Sequence, residues 1–159
     1  MNMVVVSNAT PIISFCSVKH EFVLKELFHR IIIPEAVEQE LRISDKPGSH
    51  FMKLDWVQVV SPENHESVLV LRKDIDPGEA ETIVLAKQMK ADAVLIDEHA
   101  GYQIAKFLSL PVTRTLSVLK TAKNKKIINR VRPVVEEMVQ KGRWYSKDVI
   151  EKFLYDIGE

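Results

Sequence analysis

The sequence holds 159 residues, 46% hydrophobic and 28% charged, proportions of an ordinary globular chain long enough to bury one core. Its 22 basic and 22 acidic residues give a formal net charge of zero, so composition alone offers no basic surface to hold a nucleic acid by counterion release. The single cysteine, Cys16, excludes an internal disulfide, and the apolar run Met3 to Val6 is too short for a signal or membrane segment and lacks a basic leader; the cytoplasm is the expected location.

In chain order, the β-branched run Met3 to Val6 predicts a strand buried on both faces. A turn follows, with Thr10 as the expected N-cap and Pro11 at the first helical position, and helix continues over 22–28. Cys16 lies in the apolar stretch Ile12 to Cys16 and reads as a small buried hydrophobe rather than a reactive thiol. Ile31-Ile32-Ile33 predicts a second strand, and Pro34 opens a helix to about Leu41. Residues 43–55 read as a loop, and 56–60 as a strand at a sheet edge. A short helix is expected near Ser67 to Leu71, and a longer one from Asp76 to about Met89. Ala93 to Ile96 predicts a strand, Glu98 to Leu108 a helix, and Pro111 to Thr113 a last strand. Helical segments then run to the end, the final one opened by Ser146, with Trp144 and Tyr145 packing against it.

Strands alternating with helices predict a central parallel sheet covered on both faces: an α/β three-layer sandwich in one domain over residues 1–159. No repeat, low-complexity stretch or linker divides the chain. In such sheets ligands bind beyond the carboxyl ends of the strands. Asn8, Asp97 and Glu98 fall there directly. Glu79 stands in the first turn of a helix whose far end feeds the same strand as Asp97, and one turn from Ile83 on the inward side. Glu40 shares the inward face of its helix with Val37 and Leu41. Inward carboxylates are costly unless they are paired or hold a metal, and oxygen-only donors suit Mg²⁺ or Mn²⁺, ions that support phosphodiester hydrolysis.

Each acid also has a structural reading. Asp76 and Glu79 fit a capping box; Glu81 reads as a solvated helix residue; Asp97 and Glu98 fit the start of the following helix; Glu40 fits a pair with Arg42 or a lysine; Asn8 fits a turn ahead of Pro11. The five histidines are scattered without metal-ligand spacing, and no glycine-rich phosphate loop is present. The segment 120–132 carries six basic residues and no acid, either a solvated surface or a track for a phosphate backbone.

The motifs Val4-Val5-Val6-Ser7-Asn8-Ala9-Thr10-Pro11, Ile33-Pro34 through Glu40-Leu41, Asp76-Pro77-Gly78-Glu79-Ala80-Glu81, Leu95-Ile96-Asp97-Glu98 and Leu110-Pro111-Val112 occur in the order seen in PIN-domain proteins. Together they resemble the short prokaryotic branch with GEAE and LIDE motifs, which is similar to VapC-type toxins. The resemblance implies an α/β/α fold, acids that bind Mg²⁺ or Mn²⁺, cleavage of single-stranded RNA, a homodimer and a small antitoxin partner. By position the family's acids fall on Asn8, Glu40, Glu79 (with Glu81 as alternate), Asp97 and Glu98. The chain departs from the family at Asn8, where an aspartate is usual, and at His99-Ala100-Gly101-Tyr102, where this branch often carries arginines; both departures imply weaker metal or phosphate binding.

Overall fold

The computed structural model describes every residue except Met1, Ser44 and Trp144, so the expectation for Trp144 lies outside the described residues. Five strands, β1 (Val5–Ser7), β2 (Ile31–Ile33), β3 (Val57–Val59), β4 (Ala93–Leu95) and β5 (Val112–Thr113), pair in the order β3-β2-β1-β4-β5. All four pairings are parallel. Between and after them run α1 (Ala9–Ser17), α2 (Phe22–Phe28), α3 (Glu35–Leu41), α4 (His65–Leu71), α5 (Pro77–Gln88), α6 (His99–Phe107), α7 (Thr115–Asn124), α8 (Arg132–Gln140) and α9 (Lys147–Asp156). This is the three-layer α/β sandwich that the alternation of strands and helices predicts.

Period-two strands explain the layers. Val5, Ile31, Ile33 and Leu95 face a core shared with α1, α2 and α7 to α9, where Phe15, Leu24 and Leu154 are buried. Val6, Ile32, Val94 and Ile96 face the opposite core, with Ile83 and Leu85 of α5 and Ala105 of α6. A parallel strand covered on both faces must be apolar at every position, which is why the runs around Val5 and Ile31 carry no polar alternation. At the sheet edge β3 has that second cover only in part, and its Gln58 and Val59 are exposed.

Local departures from expectation have local causes. Asn8, not Thr10, is the N-cap of α1, because its extended backbone (φ −75°, ψ 170°) lets the helix begin at Ala9. Asn64 caps α4 by accepting the Ser67 amide at 3.0 Å, so that helix starts earlier than Ser67. Inside the expected loop 43–55, Phe51–Lys53 forms a 3₁₀ turn that buries Phe51 edge-on against Trp56, with ring centroids 5.1 Å apart. Tyr145 packs against the first core as expected.

The basic segment before α8 divides in two. Glu159 binds Lys123 at 2.9 Å and accepts the backbone amides of Val131 and Arg132, while Arg132 also meets Glu136 and Glu151. Burial raises the Glu159 carboxyl, but Lys123 and those amides outweigh it and leave the group at about 2. Lys120, Lys125 and Lys126 remain exposed. Lys123 and Arg132 of the basic run therefore clamp the last helices, while Arg130 reaches Glu159 at 3.6 Å with its side chain still exposed.

Candidate active site

The strand order reverses at β1, which has β2 on one side and β4 on the other. Chains leaving β1 and β4 thus diverge from one crevice at their carboxyl ends, the usual ligand position in such sheets. Ser7 pairs with Leu95, and the Asn8 amide still donates to the Leu95 carbonyl at 3.0 Å. Asn8 and Asp97 therefore leave the sheet side by side.

Asn8 is buried. Its Nδ2 donates to Glu98 Oε2 at 3.2 Å, and Thr10 Oγ1 donates to Glu98 Oε1. Thr10 thus orients a carboxylate instead of capping its helix. Glu98 sits at the N-cap position of α6 without a side-chain cap bond, so the Asn8 and Thr10 donors, not the helix end, set its direction. Asp97 accepts twice from the first residue of α7: from the Thr115 amide at 2.8 Å and from Thr115 Oγ1 at 2.6 Å.

Two glycines let α5 approach this edge. A Cβ on Gly78 would stand 3.0 Å from Asn8 Oδ1, 3.4 Å from Glu40 Oε2 and 3.5 Å from Asp76 Oδ1, so three oxygens surround that backbone position. A Cβ on Gly101 of α6 would collide with Glu79 Oε1. Glu79 does form the capping box with Asp76, its Oε2 accepting the Asp76 amide at 3.3 Å while its own amide donates to Asp76 Oδ1 at 2.8 Å. That uses one carboxylate oxygen only. Glu79 Oε1 and Asn8 Oδ1 are both buried and have no hydrogen-bond donor among the described residues. Buried acceptors left this way are uncommon and costly.

Glu40 is half-buried and pairs with Lys46 at 3.1 Å, while Arg42 turns to Glu38 instead. Glu81 points elsewhere, toward the Ala36 amide, Glu35 and Arg72. Of the two acids in the GEAE motif, Glu79 is the one that joins the edge. Among the described residues no three carboxylates there bring oxygens within 4.8 Å of one another; the donors line a crevice rather than a closed cage.

Electrostatics reflect the crowding. Burial pushes the Glu79 carboxyl up to about 7, with the Asp76 and Glu98 charges adding to the rise and the Asp76 amide opposing it. Burial likewise raises Asp97, against the two Thr115 bonds and the nearby Arg114 charge. Between the ordinary value of 4.5 and about 7 the folded chain keeps a proton on Glu79 that the unfolded chain has lost. Its contribution to stability is therefore full below pH 4.5 and is lost as pH rises through 7. Asp97 acts with the same sign. In a chelator-treated sample the denaturation midpoint should fall across that window, and Glu79→Gln should flatten the slope; an identical slope in both proteins would mean that Glu79 is not desolvated.

Sequence reasoning missed several groups that frame the site. Asp76 serves the edge as well as the cap. Arg114 precedes the clamped Thr115 and lies over the Tyr102 ring, 3.8 Å from its centroid, with its Nε buried and without a partner among the described residues. Positive charge thus reaches the edge from the β5–α7 junction, although residues 99–102 carry no arginine. Tyr145, besides packing, lies near Asp97; burial and that charge push its hydroxyl up to about 12.

A family model described as a PIN domain matches residues 4–159. The chain belongs to the PIN-domain family. No curated protein and no solved structure matches it. As a PIN domain it falls in a family of divalent-metal-dependent nucleases, which supports nucleic-acid binding in general terms and divalent-metal dependence at family level. Among the described residues no helix is long and apolar enough to cross a membrane.

Proposed function

We propose that this PIN domain, one unit over residues 1–159, is a Mg²⁺- or Mn²⁺-dependent endoribonuclease acting on single-stranded RNA. The observation that carries the reading is the pair of buried, donor-less oxygens, Asn8 Oδ1 and Glu79 Oε1, in a crevice shared with Glu40, Asp97 and Glu98. An all-oxygen, mostly anionic donor set of this kind fits a hard divalent cation. Glu40, Glu79, Asp97 and Glu98 would hold it, with Asn8 as a neutral oxygen ligand. When bound, such an ion supplies an activated water and charge compensation at the scissile phosphate. Thr115 fixes the Asp97 carboxylate, and Thr10 and Asn8 fix that of Glu98, so the ligands are positioned before the ion arrives. Arg114, held over the Tyr102 ring, offers its fork to a phosphate oxygen of the substrate.

A toxin role in a toxin–antitoxin pair, in the cytoplasm, belongs to the same proposal, with a homodimer and a small antitoxin as protein partners. Support for protein contacts is the groove of about 640 Å³ between α4 and α5, lined in part by the exposed Val70. The test is cleavage of a single-stranded RNA with Mn²⁺, comparing the unaltered chain with Asp97→Ala. Cleavage that needs Mn²⁺ and disappears in the variant is expected; equal cleavage in both proteins would remove the site.

One observation favours a second reading, a catalytically weak PIN module that binds RNA or a protein. Asn8 donates a hydrogen bond to Glu98, which holds that carboxylate without a metal, and an amide brings no charge to the ion. RNA binding without cleavage in the same assay would select this reading.

A further inference from the structure

We infer that Cys16, Glu21 and His50 form a second metal site, suited to a borderline-soft cation such as Zn²⁺ and separate from the acidic crevice. The Cys16 sulfur, a Glu21 carboxylate oxygen and a His50 ring nitrogen all lie within 4.8 Å of one another, the one such mixed cluster among the described residues. They come from three pieces of chain: the last turn of α1, the residue before α2, and the loop ahead of the Phe51–Lys53 turn. Sequence spacing gave no hint of it, because packing of the loop onto α1 brings His50 to the other two.

Gly48 explains that packing. Its φ of +109° is open to glycine and strained for other residues, and a Cβ there would stand 3.3 Å from Leu41 and 3.8 Å from Cys16 Sγ. The backbone of the loop therefore lies directly on α1, two residues ahead of His50. His50 Nε2 sits 2.8 Å from Glu21 Oε1, while Glu21 Oε2 is buried with no donor among the described residues. A cation between them would give that oxygen a partner.

The donor set decides the ion. One sulfur, one imidazole nitrogen and one carboxylate oxygen match Zn²⁺, whose sites often use three protein ligands with water in the fourth position. Mg²⁺ and Mn²⁺ prefer oxygen alone. The His50 side chain is 52% exposed, which leaves the outer position open to that water. Without metal, burial and the Glu21 charge push the Cys16 thiol up to about 12, so it is protonated. Binding forms the metal–sulfur bond and releases the thiol proton to solvent, and the Glu21 charge that disfavours a bare thiolate favours the ion. Asn8 and Cys16 lie at opposite ends of α1, separated by about 12 Å of helix axis. An ion at Cys16 would pin the loop that also carries Lys46, the partner of Glu40.

Co²⁺ is the probe, because a cobalt–thiolate bond gives a charge-transfer absorption that carboxylates cannot produce. Titration of the full chain should yield this band with one Co²⁺ per chain, and Zn²⁺ should displace it. Asp97→Asn should keep the band, which separates this site from the proposed nuclease site. Cys16→Ser should abolish it. His50→Ala, at an exposed position, should weaken Co²⁺ binding by at least about tenfold while the far-ultraviolet circular dichroism stays that of the folded chain. No band in the unaltered chain, or a band that His50→Ala leaves unchanged, would overturn the site.

Discussion

Replacing Gly101 with alanine should lower metal-dependent RNA cleavage by about two orders of magnitude while the chain stays folded. The added Cβ would collide with Glu79 Oε1 and stand 3.2 Å from both Glu79 Cδ and Ile96 Cγ2. Something must move, and Ile96 is wedged in the core with no exposure. The Glu79 carboxylate gives way, swinging away from α6 about the Oε2 bond to the Asp76 amide. A displacement of about 1 Å at a reacting centre costs up to about 100-fold. Stability has two opposed terms: alanine in a helix gains about 1 kcal/mol over glycine, and overpacking costs about 1–3 kcal/mol. The net change should stay within about 2 kcal/mol, read by thermal denaturation beside the cleavage assay. Full cleavage by Gly101→Ala would show that the position of Glu79 does not matter to the reaction.

Much of this arrangement follows from patterns a sequence displays. Apolar runs without alternation predict strands covered on both faces, and the two cores divide those runs residue by residue. The inward turn positions of Glu40 and Glu79 place both acids at the edge where they are found, and the Asp76–Glu79 spacing predicts the capping box that forms. The box and a role at the edge are alternative readings of Glu79 in the sequence. Glu79 fits both, because a carboxylate has two oxygens and the cap uses one.

What sequence did not reveal depends on contacts between distant segments. Thr10 has the chemistry of an N-cap, but α1 begins a residue before it, and its hydroxyl finds Glu98 across the crevice instead. Arg114 and Tyr102 meet only because β5 packs beside α6 and ends next to Arg114. Cys16 has the buried position expected of a small hydrophobe, yet its neighbours Glu21 and His50 are polar. No periodicity encodes these pairings; strand register and loop packing do.

Asn8→Asp should divide the metal-free and metal-bound states more sharply than any other single change at the edge. In the metal-free chain the substitution removes the donor that Glu98 Oε2 accepts at 3.2 Å and places a second carboxylate against it. The residue is only 2% exposed, so water cannot screen the repulsion well. Loss of a buried hydrogen bond with an uncompensated partner costs about 1–3 kcal/mol, and two carboxylates sharing a site push one pKa upward. Chelator-treated Asn8→Asp should therefore melt below the unaltered chain at neutral pH, with the gap closing in acid as the pair takes up a proton. Mn²⁺ should reverse the order. An ion that binds only the folded chain stabilises it in proportion to its occupancy, by about 2.7 kcal/mol at 100 times its dissociation constant. The added charge should raise that occupancy at a given Mn²⁺ concentration, so the Mn²⁺-induced rise in melting temperature should be larger for the variant, and cleavage should rise with it. If both proteins respond equally to Mn²⁺, residue 8 lies outside the ion's coordination. If the variant binds Mn²⁺ more tightly yet cleaves no RNA, the chain is a PIN-fold binding module, and the missing charge is not what silences it.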